Sequence, residues 1–201
     1  MTNLIDRNFG TPRGAVRLAL SYAQVALGRS HARKPNKGEV RRLVFVCHGN
    51  ICRSAYAQAL AARAGWETAS FGLSTRTGNP VHPPIAREAA ARGIDLCAHR
   101  ATNVDAFAPR EGDYLLGMEV RHLARLAASE RLAHLPRGLL GVYASPPLPH
   151  LHDPYCIAPE YLPVCLDRIE SAVAGLVRRL SDADAGDAQC PPDRRKTALD
   201  R

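Results

Sequence analysis

Residues 47–54 read Cys-His-Gly-Asn-Ile-Cys-Arg-Ser and put a thiol, a run of backbone amides and a guanidinium fork within one short loop. Sulfur that attacks phosphorus needs those parts. A thiol attacks as its thiolate, a form favoured by a helix N-terminus and a nearby arginine. The same helix start, with its orphan N–H groups, binds a phosphate dianion. Arginine grips two phosphate oxygens at once, which lysine does not match in that geometry. The candidates are Cys47 as nucleophile and Arg53 as anion clamp. The cradle would be His48, Gly49, Asn50, Ile51, Cys52, Arg53 and Ser54. The spacing of Cys47 and Arg53 alone is weak in a chain this rich in arginine, so the flanking elements decide.

Residues 43–46, Leu-Val-Phe-Val, form a continuous apolar run, the mark of a central parallel strand buried on both faces. Gly49 permits a backbone turn that other residues resist. Residues 54–64 are strong helix material that stops at Gly65. Strand, glycine-bearing loop and helix put the hole at the carboxyl end of a strand, where open α/β sheets bind ligands. Far downstream, Asp153-Pro154-Tyr155 offers a carboxyl group on a short segment. Pro154 disfavours the helical region for Asp153 and holds it extended.

The octet after a first strand resembles the signature loop of the low-molecular-weight protein-tyrosine phosphatases and matches it at every fixed position. The family usually continues with proline where Ala55 stands, a change of loop stiffness rather than chemistry. It also has a downstream Asp-Pro-Tyr, matched by Asp153 to Tyr155. Two motifs in the right order are more specific than either alone.

The 201 residues, 46% of them hydrophobic, suffice for a real core. No apolar run approaches a membrane span and no signal-peptide pattern opens the chain. The six cysteines show no secreted disulfide framework, and a reactive thiol needs reducing conditions, so the expected compartment is the cytoplasm.

Charge is unevenly placed. Residues 1–42 hold nine basic side chains against Asp6 and Glu39, so +7 of the total +8 lies there. A nucleic-acid enzyme would spread such charge over a folded face, and no nucleic-acid partner is expected. Val16, Leu20, Ala23 and Leu27 fall on one helical face, with Arg17, Ser21 and Gln24 opposite. Such a helix can lie on an anionic membrane surface or dock on a partner; the plain alternatives are a helix packed on its own domain or a mobile arm. The resembling family begins near residue 41 and says nothing of this arm.

Residues 66–71 alternate as a second strand, and Pro80, Pro83 and Pro84 punctuate a loop before a helix over 85–92 that stops at Gly93. A third strand is expected over 113–116, a helix over 119–128, a fourth strand over 139–143 and a last helix over 159–180. The alternation predicts an α/β fold: a small open, mostly parallel four-stranded sheet with helices on both faces. The resemblance makes it the phosphotyrosine phosphatase I type. Residues 1–40 form a basic extension with an amphipathic helix, 41–181 the phosphatase domain, and 182–201 a disordered tail.

The resemblance implies hydrolysis of phosphotyrosine on a protein through a cysteinyl phosphate, without metal or other cofactor. Asp153 would be the general acid and then the base. Asn50 and Ser54 would brace the loop, with Ser70 and His99 supporting Asn50. The plain alternatives are a local turn, a helix cap or ordinary polar packing. Cys52 would form a reversible disulfide with Cys47, or is simple filler. His150 and His152 are expected in solvent. No Cys-x2-Cys or paired-histidine spacing supports zinc.

Ile51 matches tyrosine-directed members, and residues 118–123 are similar to bacterial members acting on tyrosine kinases of exopolysaccharide export. The crevice over residues 74–79 lacks an aromatic residue, which leaves Tyr155 as the substrate contact. Such an enzyme would sit in the cytoplasm, or peripherally at the inner membrane face. Two alternatives stand: an arsenate reductase of the same fold, poorly served by Cys97, Cys156 and Cys165, and a non-catalytic phosphate-binding or redox-sensing module.

Overall fold

A computed structural model describes residues 4–35, 38–155, 157 and 159–187. Four strands form one parallel sheet in the order β2-β1-β3-β4, with β1 Arg42–Cys47, β2 Glu67–Gly72, β3 Asp113–Gly117 and β4 Arg137–Leu139. β1 is central and buried at every position. Its alternate side chains feed two cores. Leu43, Phe45 and Cys47 pack with Tyr56, Ile85, Leu166 and Ile169. Val44 and Val46 pack with Phe71, Phe107, Leu123 and Leu126. Helices α3 (Arg53–Arg63), α4 (Pro83–Ala91) and α6 (Tyr161–Asp187) cover the first face, and α5 (Val120–Ala127) the second. An apolar run over residues 43–47 is what such a sandwich demands.

A buried ion pair pins the register at the start of the sheet. Arg42 Nε and Nη2 lie 2.6 and 2.8 Å from the Asp113 carboxylate, and these two residues are direct partners across β1 and β3.

Two expectations are corrected. The fourth strand is Arg137–Leu139, and Leu140–Tyr143 coils into a 3-10 turn. The cause is a close backbone approach: a Cβ on Gly141 would meet Leu148 O at 1.9 Å, so the segment bends against the loop rather than extending. The last helix runs to Asp187, so residues 182–187 are helical rather than part of a tail. Extending an existing helix costs little once its nucleus is packed. Residues 188–201 lie outside the described residues.

The basic extension folds into α1 (Leu4–Phe9) and α2 (Pro12–Ala26). Thr11 caps α2 by accepting from Gly14 N at 3.0 Å, and Pro12 opens the first turn. Its packed side carries Gly14 and Ser21, while Val16, Leu20 and Leu27 face solvent. The helix therefore turns its larger apolar stripe outward. Among the described residues no helix is long and apolar enough to cross a membrane.

Candidate active site

β1 ends at Cys47, and the chain loops directly into α3. The thiol is buried and lies at the helix N-terminus, which favours an anion. Cys47 Sγ accepts from Asn50 N at 3.2 Å and lies 3.0 Å from Ser54 Oγ. The loop's carbonyls are drawn outward. Leu73 N donates to Cys47 O, Ser74 N to His48 O and His82 N to Ile51 O, at 3.0, 2.9 and 2.9 Å. His99 Nε2 donates to Asn50 O at 2.9 Å. Burial holds the His99 pKa down, which keeps this ring neutral. Among the described residues, the amides of Gly49, Ile51 and Cys52 donate to no backbone carbonyl. Those donors are left for an anion.

The strained position of the loop is Asn50, with φ at 53°, and not Gly49. This corrects the expectation of a glycine turn. Asparagine tolerates the left-handed region when its side chain is tied locally. Here Nδ2 donates to Ser54 Oγ and Ser70 Oγ at 2.9 and 2.7 Å, while Oδ1 accepts from Thr102 N at 2.8 Å. Ser70 Oγ in turn donates to Gln58 Oε1 at 2.6 Å. The glycine that the loop does require is Gly72 at the end of β2: a Cβ there would come within 2.9 Å of Gly49 C and His48 O.

Arg53 is completely buried. Nη1 donates to Glu119 Oε1 and Leu151 O, both at 2.7 Å. Nη2 lies 2.6 Å from Asp153 Oδ2 as an ion pair without hydrogen-bond alignment, and neither Nε nor Nη2 has a hydrogen-bond partner among the described residues. These two nitrogens form an edge whose geometry suits two oxygens of one anion. Asp153 is partly exposed and its Oδ1 accepts from Tyr155 N at 3.3 Å. The half-exposed Tyr155 ring meets His82 edge-on at 4.9 Å. His48 is exposed at the rim, and Cys52 is buried. Burial pushes the Cys52 thiol well up.

Glu119, within the residues 118–123 that resemble bacterial members, has a role that the sequence does not reveal. Glu119 is buried and lies 2.7 Å from Arg53 Nη1, 2.8 Å from Arg121 Nε and 3.7 Å from Arg17 Nη1. Burial works to raise its pKa, but Arg53, His122 and Arg121 override that and hold it well below the carboxylate range. An ionised Glu119 thus orients Arg53 from behind. Only the contact across 66 residues of sequence reveals this.

His150 is buried rather than solvated, and His152 is partly so. His150 Nε2 and His152 Nδ1 are 3.2 Å apart, and Thr11 Oγ1 lies 3.2 Å from His152 Nε2. Burial, with Arg53 nearby, drives His122 down to about 3, and burial chiefly drives His150 down to about 4, from an ordinary 6.5. Both rings are neutral in the fold, so on acidification the unfolded chain takes up protons first. The stability they confer is full above about pH 6.5 and is lost as pH falls toward the folded values. Urea unfolding should show a loss of about 2–4 kcal/mol between roughly pH 7 and pH 5. Equal stability at the two values would mean that the imidazoles are not held neutral.

A thiol at a helix start, an arginine fork and a carboxyl group converge on a hole lined by amides. Residues 42–185 match the model described as low molecular weight phosphotyrosine protein phosphatase, and the chain belongs to that family. It is 38% identical over 87 residues to the low molecular weight protein-tyrosine-phosphatase Wzb of Salmonella typhi, spanning 42% of this chain and 58% of that protein's length. Among solved structures it is similar to the tyrosine phosphatase Wzb of Escherichia coli K30 in complex with sulphate (TM-score 0.63, 25% identity, 70% of this chain and 99% of that one). It also shares the fold of the YwlE arginine phosphatase of Geobacillus stearothermophilus (TM-score 0.63, 22% identity, 73% and 96% covered).

Proposed function

We propose that the protein hydrolyses phosphotyrosine on proteins through a cysteinyl phosphate. The observation that carries this reading is the Nε and Nη2 edge of buried Arg53 beside the Cys47 loop, an edge with no hydrogen-bond partner among the described residues and with Nη2 ion-paired to Asp153. Cys47 Sγ forms a bond to phosphorus as the phosphorus–phenol oxygen bond breaks, in line. Amides of residues 48–53 and the Arg53 edge hold the equatorial oxygens, since this chemistry asks mainly for positioning and charge stabilisation. Asp153 gives its proton to the departing phenolate. It then takes one from the water that attacks phosphorus and expels the thiolate, and Ser54 Oγ at 3.0 Å from Sγ is placed to steady that leaving sulfur. Asn50, Ser70 and His99 hold the loop, and Tyr155 meets the substrate ring with His82 behind it.

A bacterial tyrosine kinase of exopolysaccharide export is the substrate that the family likeness favours. The enzyme would work in the cytoplasm, with residues 41–181 as the catalytic unit. The basic extension would add docking at the inner membrane face or on a partner. The test is turnover of matched peptides bearing phosphotyrosine, phosphoserine or phosphoarginine. Hydrolysis confined to phosphotyrosine is expected from a hole that demands reach. Equal turnover of phosphoserine, or preference for phosphoarginine, would overturn the assignment.

Cys52 is proposed as the redox partner of Cys47. Peroxide would oxidise Cys47 to the sulfenic acid, and Cys52 sulfur would displace water to form the disulfide. Activity lost to peroxide should return with dithiothreitol, and Cys52→Ser should lose that recovery. Unchanged recovery in the variant would leave Cys52 a packing residue. An arsenate relay is poorly served: Cys165 is buried on α6, whereas Cys97 is exposed. Cys156 lies outside the described residues.

A further inference from the structure

Apart from Tyr155, the large apolar side chains exposed among the described residues all belong to the first 27 residues. Leu4 is 73% exposed, Val16 59%, Leu20 58% and Leu27 66%. Three of these share one face of α2 with the exposed Ala23. The opposite side of α2 is pinned to the catalytic domain: Gly14 and Ser21 are buried, Thr11 meets His152, and Tyr22 donates to Pro147 O at 2.6 Å. The outward, apolar face of α2 has no partner among the described residues of the folded monomer. A contiguous apolar patch rimmed by charge marks an interaction surface.

The rim says which surface. Arg13 and Arg17 follow the stripe along one edge of the helix, and Arg29 comes just after its end. A cavity of about 380 Å³ opens beside Leu20, lined by Arg17, Arg29, His31 and Arg121, with Glu119 at its inner end. That carboxylate is already engaged by Arg53 and Arg121, with Arg17 at 3.7 Å, so the cavity, with Arg29 and His31 on its wall, offers donors and positive charge to one anionic group. A second copy of this chain is a poor occupant, because it would bring its own +7 extension to the same face.

We propose that α2 docks the enzyme on an anionic lipid bilayer, with Val16, Leu20 and Leu27 entering the acyl boundary and a lipid phosphate seated in the arginine-lined cavity. It rests on the docking role given to the extension and not on the phosphatase chemistry. Helices of this kind lie in the interface plane, the arginines snorkelling to the headgroups. Each basic group near an anionic surface adds to the attraction, so binding needs acidic lipid and weakens with salt.

Co-sedimentation of the full chain tests this with vesicles of phosphatidylcholine alone and of equal parts phosphatidylcholine and phosphatidylglycerol. Sedimentation with the mixed vesicles only is expected. The triple variant Val16→Ser, Leu20→Ser, Leu27→Ser should bind them at least roughly ten-fold more weakly, through lost apolar burial. It should keep the parent's circular dichroism, since these side chains face outward. No binding by the parent, equal binding by the variant, or equal binding to neutral vesicles would overturn the proposal. So would a concentration-dependent dimer of the parent that the triple variant abolishes. Binding is read without turnover, so an inactive enzyme that still sediments would sink the phosphatase reading alone.

Discussion

Cys47→Ser should cut turnover of a phosphotyrosine peptide by a factor on the order of 10⁴ or more, the scale of losing a nucleophile, while leaving peptide binding nearly intact. The reason is a division of labour. On the proposed mechanism, affinity for the dianion would come from the amides of the loop and from Arg53, whose orientation rests on Glu119 and Leu151 O and not on the sulfur. Bond making would depend on the sulfur, because among the described residues no strong base hydrogen-bonds at its position. Its neighbours are Asn50 N and Ser54 Oγ, neither of which removes a proton readily. Isothermal titration with the peptide and a parallel rate assay separate the two quantities. A variant that still turned over within ten-fold or so of the parent would remove Cys47 from the chemistry.

Asp153→Ala should lower kcat by about 10²–10⁴ for phosphotyrosine, the range of general acid help. The loss should shrink for aryl phosphates whose phenols are acidic enough to leave unprotonated. A single substrate cannot make this distinction, because Asp153 also ion-pairs with Arg53 and its removal perturbs the anion site. A series of leaving groups can. If the deficit is the same across the series, the carboxyl group acts through Arg53 and not as a proton donor.

The catalytic loop was legible because its information is local. A β-branched run, a cysteine, a short loop and an alanine-rich helix occupy some twenty consecutive positions, and β1 and α3 fall within a residue of where the pattern puts them. What escaped the sequence was decided by tertiary contact. Glycine propensity pointed to Gly49, yet Asn50 adopts the left-handed conformation because Ser54, Ser70 and Thr102 hold its side chain. An apolar run suggested a strand through Tyr143, yet Gly141 is pressed against Leu148 O and the chain coils. Periodicity found the stripe on α2, but not that it would point away from the domain. A helix with Gly14 and Ser21 on one side has a flatter surface there, and a flat surface approaches the acid-bearing loop more closely than one crowded with leucines.

On the proposed mechanism, the pairing of Asp153 with Arg53 bears on how inorganic phosphate would depart. The protein carries its own tethered anion, which reaches the guanidinium as soon as the bound one loosens. Release is then an exchange of one negative group for another, and the buried cation need not stand bare in a dry pocket. A tethered competitor of this kind trades some affinity for quick clearance, and the Asp153→Ala variant, lacking it, should be inhibited by its product at lower concentration than the parent.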